Sequence, residues 1–211
     1  MNGHNTEIKG LIFDCDGVLF DSHPANLAYY NTVLKQLGAP LVTPENHRHA
    51  QLCHTACSRD VFRGLLEEEQ IEEALGIAGS LDYRQFIAYL KPFEGMLEVL
   101  PQLAAHYPLA LATNRTSSVS LLLDHFSIRE CFQSVVTSSD VALPKPSPQM
   151  LHLAAKELGY PESRLLFVGD APSDRQAADS AGCRFVAFGE SLKACSQVSG
   201  WSEFKGWLPS G

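Results

Sequence analysis

The segment Asp14-Cys15-Asp16-Gly17-Val18-Leu19 directly follows the apolar run from Ile8 to Phe13. An apolar run of this length that ends at a turn signal is typical of a buried strand in a parallel sheet. In open α/β sheets, ligands bind at the carboxyl ends of such strands. Two acids one residue apart repel each other unless they share a cation, and a divalent metal with oxygen ligands is the simplest candidate.

After Phe20 the hydrophobic pattern is helical until about Lys91. One helix is predicted between Pro24 and Gly38, which are typical first and last residues of a helix. Its apolar face is formed by Leu27, Tyr30, Leu34 and Leu37. Further helices are predicted within 44–57, 58–70 and 80–90, with no strand between them.

From Pro92 onwards, helices and strands alternate. The predicted strands are 109–112, 134–137, 165–168 and 185–188. The predicted helices begin at Met96, Ser117, Pro148 (with Ser147 as its N-cap), Pro172 and near Trp201. Such alternation predicts right-handed crossovers and a parallel sheet. The fold class is therefore α/β: a Rossmann-like core from residues 1–20 and 92–211, with an all-helical cap domain inserted at 21–91. Both ends of the insertion return to the same sheet edge, so we expect the cap to cover the acidic segment.

The composition is that of an ordinary globular protein, and the net charge of −8 disfavours nucleic acid as a partner. Residues 1–10 are polar and no apolar run approaches 18 residues, so we expect a cytoplasmic protein without a membrane partner. The six cysteines are scattered and are expected to be reduced. The histidines and cysteines within 47–57 do not match the spacing of a structural zinc site, and helix faces explain them equally well.

Polar residues also follow the other predicted strands. Thr113-Asn114-Arg115 follows the second strand, Lys145 lies just past the third, and the segment from Gly169 to Asp174 follows the fourth. The carboxyl ends of parallel strands lie at one edge of the sheet, so these residues are expected near Asp14 and Asp16.

Taken in order, Asp-x-Asp-Gly at 14–17, Thr-Asn at 113–114, Lys-Pro at 145–146 and Gly-Asp-x-x-x-Asp at 169–174 resemble the haloacid dehalogenase-like hydrolase superfamily. The resemblance covers essentially the whole chain, and the inserted helical block is similar to the first cap type of that family. It implies that Asp14 is a nucleophile that forms an aspartyl-phosphate. Asp16 would then protonate the leaving oxygen and deprotonate the attacking water.

The resemblance also implies roles for the remaining residues. Thr113 would donate its hydroxyl to the phosphoryl oxygens, and Lys145 would offset charge on nucleophile and substrate. Mg²⁺ would be the cofactor, held by Asp14, the Asp16 carbonyl and Asp170, with Asp174 as a further ligand or an orienting group. Other interpretations stay open: Asp174 could only favour a helix start, Thr113 and Asn114 could only cap a helix, and Arg115 could contact the phosphate or be a solvated loop residue.

Differences between this sequence and the motifs of individual enzyme classes in the family narrow the range of predicted activities. Dehalogenases usually have an aromatic residue where Asp16 stands. Phosphonoacetaldehyde hydrolases use a cap lysine, and neither Lys35 nor Lys91 lies where that base is expected. Mutases of the β-phosphoglucomutase type carry a cap histidine near the position of Asn26, although His23 is close enough to keep that alternative open.

A non-catalytic phosphometabolite-binding protein on the same fold would be expected to have lost Asp14, Asp16 or Lys145, and this chain keeps all three. The remaining prediction is a phosphatase similar to phosphoglycolate phosphatases, a monomer or homodimer that acts on a small phosphorylated metabolite. Four arginines of the cap could bind the substrate or be solvated: Arg48, Arg59, Arg63 and Arg84.

Overall fold

The computed structural model describes residues 7–116, 118–189, 192 and 196–208. Residues 1–6 and Ser117, the first residue of one predicted helix, lie outside this described part. The described strands are β1 Gly10–Phe13, β2 Phe20–Asp21, β3 Lys91–Pro92, β4 Leu109–Thr113, β5 Ser134–Thr137, β6 Leu165–Gly169, β7 Arg184–Phe188 and β8 Gln197–Val198. The described α-helices are α1 His23–Gln36, α2 His47–Thr55, α3 Ser58–Leu65, α4 Ile71–Ser80, α5 Arg84–Ile87, α6 Met96–Ala104, α7 Ser118–His125, α8 Gln149–Leu158, α9 Pro172–Ala181 and α10 Trp201–Trp207.

Six of these strands form a parallel sheet in the order β5-β4-β1-β6-β7-β8, so the predicted α/β fold with a parallel sheet is confirmed. β1 lies between β4 and β6, with Phe13 in register with Leu111 on one side and Val168 on the other. After β1, the chain adds β4 and β5 on one side of β1 and then crosses to β6 on the other side. The carboxyl end of β1 is therefore the switch point of the sheet, where such folds bind ligands.

Alternate side chains of a strand point to opposite faces of the sheet. The side chains of β1 are apolar on both faces because both faces are covered by the core. On one face, Ile12 packs in a buried cluster with residues of α8 and α9. On the other, the Phe13 ring stacks on Trp201 of α10 at a centroid distance of 5.4 Å. The Trp201 indole N–H also donates to the carbonyl of Val18 at 2.9 Å, so α10 supports the loop that follows β1.

The chain divides into two compact units, a larger unit of residues 1–20 and 92–211 and an insert of residues 21–91. The insert contains α1 to α5, and its own core includes Tyr30, Leu34, Phe62 and Ile71. The chain passes between the units within β2 and β3, which pair with each other. In the part of the chain that the structure describes, every helix falls short of the length and hydrophobicity that a membrane crossing requires.

Several element predictions differ from the structure. The two-residue strands β2, β3 and β8 were not predicted, because two residues are too few to show an alternating pattern. Helix α4 was not predicted either. It contains Gly76 and Gly79, which lower helix propensity, but it is stabilised by burial of Ile71, Ala74 and Ala78. The helix predicted at 80–90 is limited to α5.

Candidate active site

The backbone around β1 and β6 fixes the position of Asp14. Its N–H donates to the carbonyl of Val168 at 2.9 Å, which continues the parallel pairing one residue beyond the strand. Its carboxylate Oδ1 accepts a hydrogen bond from the N–H of Cys15 at 2.7 Å. Asp14 is buried, so its side chain is held at the switch point and largely removed from bulk water.

Lys145 connects two of the predicted acids. Its Nζ lies 2.8 Å from Asp14 Oδ1 and 2.8 Å from Asp174 Oδ1, and only 2% of its side chain is exposed. The side-chain amide of Asn114 makes two hydrogen bonds with the backbone of Lys145. Asn114 Nδ2 donates to the Lys145 carbonyl at 3.1 Å, and the Lys145 N–H donates to Asn114 Oδ1 at 3.0 Å. Asn114 therefore positions the lysine that contacts the predicted nucleophile.

Asp174 lies in the first turn of α9 and is fully buried. Its Oδ2 accepts hydrogen bonds from the backbone N–H groups of Asp170 at 3.2 Å and Ala171 at 3.1 Å. It thus holds the backbone of Asp170 while its other oxygen faces Lys145. These contacts favour an orienting role for Asp174, and they go beyond the general preference for an acid at a helix start.

One carboxylate oxygen from each of Asp14, Asp170 and Asp174 lies within 4.8 Å of the others, and we call these three residues the acid cluster. No other group of three potential metal ligands of this kind occurs among residues 7–116, 118–189, 192 and 196–208. All three donors are buried oxygens, the ligand type that Mg²⁺ prefers. The donor set therefore fits the predicted metal.

The electrostatics of the acid cluster also fit a cation. Burial raises the pKa of Asp14 well above its usual range, and the charges of Asp174, Asp170 and Asp16 raise it further against the opposing effect of Lys145. Burial by itself would lower the pKa of Lys145, but the neighbouring carboxylates of Asp14 and Asp174 raise it overall, so the ammonium stays charged. The site holds three buried carboxylates and one lysine, which contacts two of them, and a divalent cation would compensate the remaining negative charge.

The side chain of Asp16 contacts Arg115, whereas Asp14 and Asp174 of the acid cluster contact Lys145. Arg115 donates to both of its oxygens, from Nε to Oδ2 at 2.8 Å and from Nη2 to Oδ1 at 2.6 Å. The Arg115 N–H donates to Thr113 Oγ1 at 3.1 Å, so the threonine hydroxyl also fixes the start of this segment. Only 7% of the Arg115 side chain is exposed, which rules out the interpretation as a solvated loop residue.

Two glycines have site functions that the sequence analysis did not predict. Gly17 has a φ of +77°, and a Cβ atom built there would overlap the carboxylate of Asp170. A Cβ atom at Gly169 would collide with the side chain of Asp174. The available sequence signal was the presence of glycine within both acidic motifs, because glycine marks places where backbone and neighbouring groups approach closely.

We expect Gly17→Ala to disrupt the acid cluster, because the new methyl group displaces the Asp170 carboxylate in addition to straining the backbone. Gly159→Ala is the matched control, since Gly159 has a φ of +78° and open space where its Cβ would lie. Thermal unfolding should show a loss of about 1 kcal/mol for the control and a larger loss for Gly17→Ala. Equal stability of the two variants would contradict this account.

Within the insert, three of the four arginines that could bind the substrate or be solvated make surface ion pairs with neighbouring acids. Arg59 pairs with Glu72 at 2.7 Å, Arg63 with Asp60 at 3.0 Å and Arg84 with Asp82 at 2.9 Å. Arg48 is exposed. These contacts favour the interpretation of the arginines as solvated faces of the insert.

Two histidines of the insert, His23 and His54, pack against each other. The rings of His23 and His54 stack with their centroids 3.4 Å apart. Asn26 Nδ2 lies 3.5 Å from His54 Nδ1. His54 is the buried histidine of the 47–57 segment, and its contacts join α1 to α2.

The structure therefore brings Asp14, Lys145, Asp170 and Asp174 together and places the Asp16–Arg115 pair in the loops that follow β1 and β4. Asn114 and Thr113 hold the backbones of Lys145 and Arg115. Sequence reasoning missed Ser138, whose N–H and hydroxyl both donate to the carbonyl of Arg115, at 3.0 Å and 3.2 Å.

The chain is similar to known proteins in both sequence and structure. Residues 11–188 match the family model of haloacid dehalogenase-like hydrolases. A phosphoglycolate phosphatase of Pectobacterium atrosepticum is 33% identical over 86% of this chain and 80% of its own length, and one of Pseudomonas savastanoi pv. phaseolicola is 32% identical over 85% and 68%. A crystal structure of a HAD-superfamily hydrolase, subfamily IA, variant 1, from Geobacter sulfurreducens is 35% identical and covers 95% of this chain and 100% of its own, with a TM-score of 0.83. With these matches and the acid cluster at the switch point, the chain belongs to the haloacid dehalogenase-like hydrolase family.

Proposed function

We propose that this protein is a Mg²⁺-dependent phosphatase that hydrolyses a small phosphomonoester through an aspartyl-phosphate on Asp14. The observation that carries the proposal is the position of Asp14, which is buried at the switch point, 2.8 Å from Lys145 and grouped with two further carboxylates. The similarity to phosphoglycolate phosphatases supports the substrate class, a small phosphorylated metabolite.

The chemistry would proceed in two steps. In the first, the Asp14 carboxylate attacks phosphorus, the bond between phosphorus and the ester oxygen breaks, and Asp16 gives a proton to that oxygen. In the second, Asp16 takes a proton from water, and the water oxygen displaces Asp14 from phosphorus to release inorganic phosphate. Lys145 offsets negative charge on Asp14 and the phosphoryl group, and the hydroxyl of Thr113 donates to a phosphoryl oxygen.

Asp14 and Asp170 would hold the metal, with Asp174 beside them and the Asp16 carbonyl as the fourth predicted donor. When bound, Mg²⁺ supplies positive charge that allows a phosphate dianion to enter a site lined by carboxylates. Asp174 would keep Asp170 in place through its two backbone hydrogen bonds.

The two alternatives from the sequence are not favoured. A binding protein without catalysis does not need a buried nucleophile, a base and a lysine in one site. The two relatives described above are phosphoglycolate phosphatases and not mutases. We further propose that the insert acts as the substrate-selecting cap. The cytoplasmic location and the monomeric or dimeric state stay predictions from the sequence.

A panel of phosphorylated metabolites, together with an aryl phosphate, tests the proposal. The wild type should release phosphate from at least one of them with Mg²⁺ and not after chelation. A mutase would instead convert a hexose 1-phosphate to the 6-phosphate without net phosphate release. Absence of both activities from folded protein would contradict the proposal.

Asp170→Asn should raise the Mg²⁺ concentration for half-maximal activity by at least about tenfold, because an amide is a weaker ligand than a carboxylate. The Mg²⁺-dependent rise in unfolding temperature should shift to higher concentration in the same way. Asp179→Asn is the control, since Asp179 is an exposed residue of α9 that pairs with Arg175. An unchanged titration for Asp170→Asn would move the ligand role to Asp174.

A further inference from the structure

Asp16 and Arg115 form a two-point contact across 99 residues of sequence. Both oxygens of the carboxylate accept a hydrogen bond from the same edge of the guanidinium, at 2.8 Å and 2.6 Å. A planar fork of this kind fixes both the position and the rotation of a carboxylate, which a single ammonium contact does not. The side chains are 7% and 14% exposed, so water competes little for these hydrogen bonds.

The backbone of Arg115 is itself held at two points. Its N–H donates to Thr113 Oγ1, and its carbonyl accepts hydrogen bonds from the N–H and the hydroxyl of Ser138. Thr113 ends β4 and Ser138 directly follows β5, so the arginine is attached to two neighbouring strands of the sheet. A side chain anchored in this way can transmit the rigidity of the sheet to its partner.

We infer that Arg115 is a positioning residue that holds the Asp16 carboxylate in place for the second step of the reaction. This inference rests on the proposed function. In the second step the carboxylate form of Asp16 must accept a proton from water, and that form is the one that accepts two hydrogen bonds from a guanidinium. In the first step Asp16 carries a proton, so one of the two hydrogen bonds has to break. Arg115 therefore acts through Asp16 and not by binding the substrate.

A double-mutant cycle with Arg115→Met and Asp16→Asn tests this inference. Arg115→Met should lower kcat by about 10- to 100-fold, because displacement of a proton-transfer group by roughly 1 Å has an effect of this size. KM should change little. In the Asp16→Asn background, Arg115→Met should have almost no further effect, since the group that it positions is already lost.

Arg115→Lys should restore only part of kcat, because lysine provides a charge without the two-point fork. Arg164→Met is the control for loss of an arginine, since Arg164 precedes β6, far along the strand from the site, and contacts Glu7. Circular dichroism and thermal unfolding check that each variant folds. The double variant removes both charges together, so it keeps the test available if Arg115→Met alone does not fold.

Three outcomes overturn the inference. If the two substitutions have multiplicative effects on kcat/KM, Arg115 acts independently of Asp16. A large rise in KM with unchanged kcat assigns Arg115 to substrate binding instead. Full activity of Arg115→Met shows that the pair is not needed. In each of these cases an active wild type leaves the proposed function standing, whereas a folded wild type that is inactive on the whole panel overturns both.

Discussion

Asp14→Asn is expected to lower phosphate release by at least about 10³-fold, because an amide cannot replace the carboxylate as a nucleophile. The same substitution should not destabilise the metal-free protein. Burial and the other acids already raise the pKa of Asp14, so the charged form is unfavourable there, and Lys145 keeps Asp174 as a partner. The expected result is a folded, inactive protein that is at least as stable as the wild type after chelation.

Two measurements check this expectation, phosphate release with the best substrate of the panel and thermal unfolding in chelator. Asp179→Asn serves again as the control for removal of an acid. If Asp14→Asn keeps a substantial part of the activity, another group is the nucleophile. If it unfolds in chelator at a clearly lower temperature than the wild type, the ion pair with Lys145 outweighs repulsion within the acid cluster.

Lys145→Met is expected to affect both activity and stability. Without the ammonium, Asp14 and Asp174 face each other in a buried site, and removal of one partner from a buried ion pair costs about 3–5 kcal/mol. Turnover should fall by about 10²- to 10³-fold, because the variant lacks the charge that is proposed to stabilise the transferring phosphoryl group. Added Mg²⁺ should recover part of the stability but not the turnover.

Chemical denaturation with and without Mg²⁺ measures the first effect, and steady-state kinetics measures the second. Lys156→Met is the matched control, since Lys156 is an exposed residue of α8. Combining Lys145→Met with Asp174→Asn should return part of the lost stability, because it removes one of the two facing charges. A single variant as stable as Lys156→Met would show that the lysine does not neutralise the acids.

The main strands could be predicted to within two residues because short runs rich in apolar residues mark them, and Gly or Pro bounds several of these runs. The strand predicted at 134–137 agrees with the structure in both bounds, and the helix predicted to begin at Pro172 does begin there. The predicted parallel sheet also placed the polar residues that follow its strands at one edge. This was enough to predict that Asp14, Lys145 and Asp170 lie in one site. That much depends only on the direction of parallel strands.

The individual pairings could not be predicted. Arg115 contacts Asp16 and Asn114 contacts the backbone of Lys145, and both contacts depend on how short loops turn after the strands. Sequence spacing does not encode such turns. The steric function of Gly17 was hidden for the same reason, since it follows from the position of a side chain about 150 residues further along the chain.

The pairing of β2 with β3 affects how the sequence of such a protein can change during evolution. The exit and return points of the insert are joined by their own hydrogen bonds, so both ends of that segment are fixed next to each other whatever lies between them. Replacing or lengthening the intervening helices then adds little loop-closure entropy and leaves the order of the central strands untouched. With the insert in its proposed role as the cap, exchange of this module could diversify selectivity among descendants while the residues that follow the central strands are inherited without alteration.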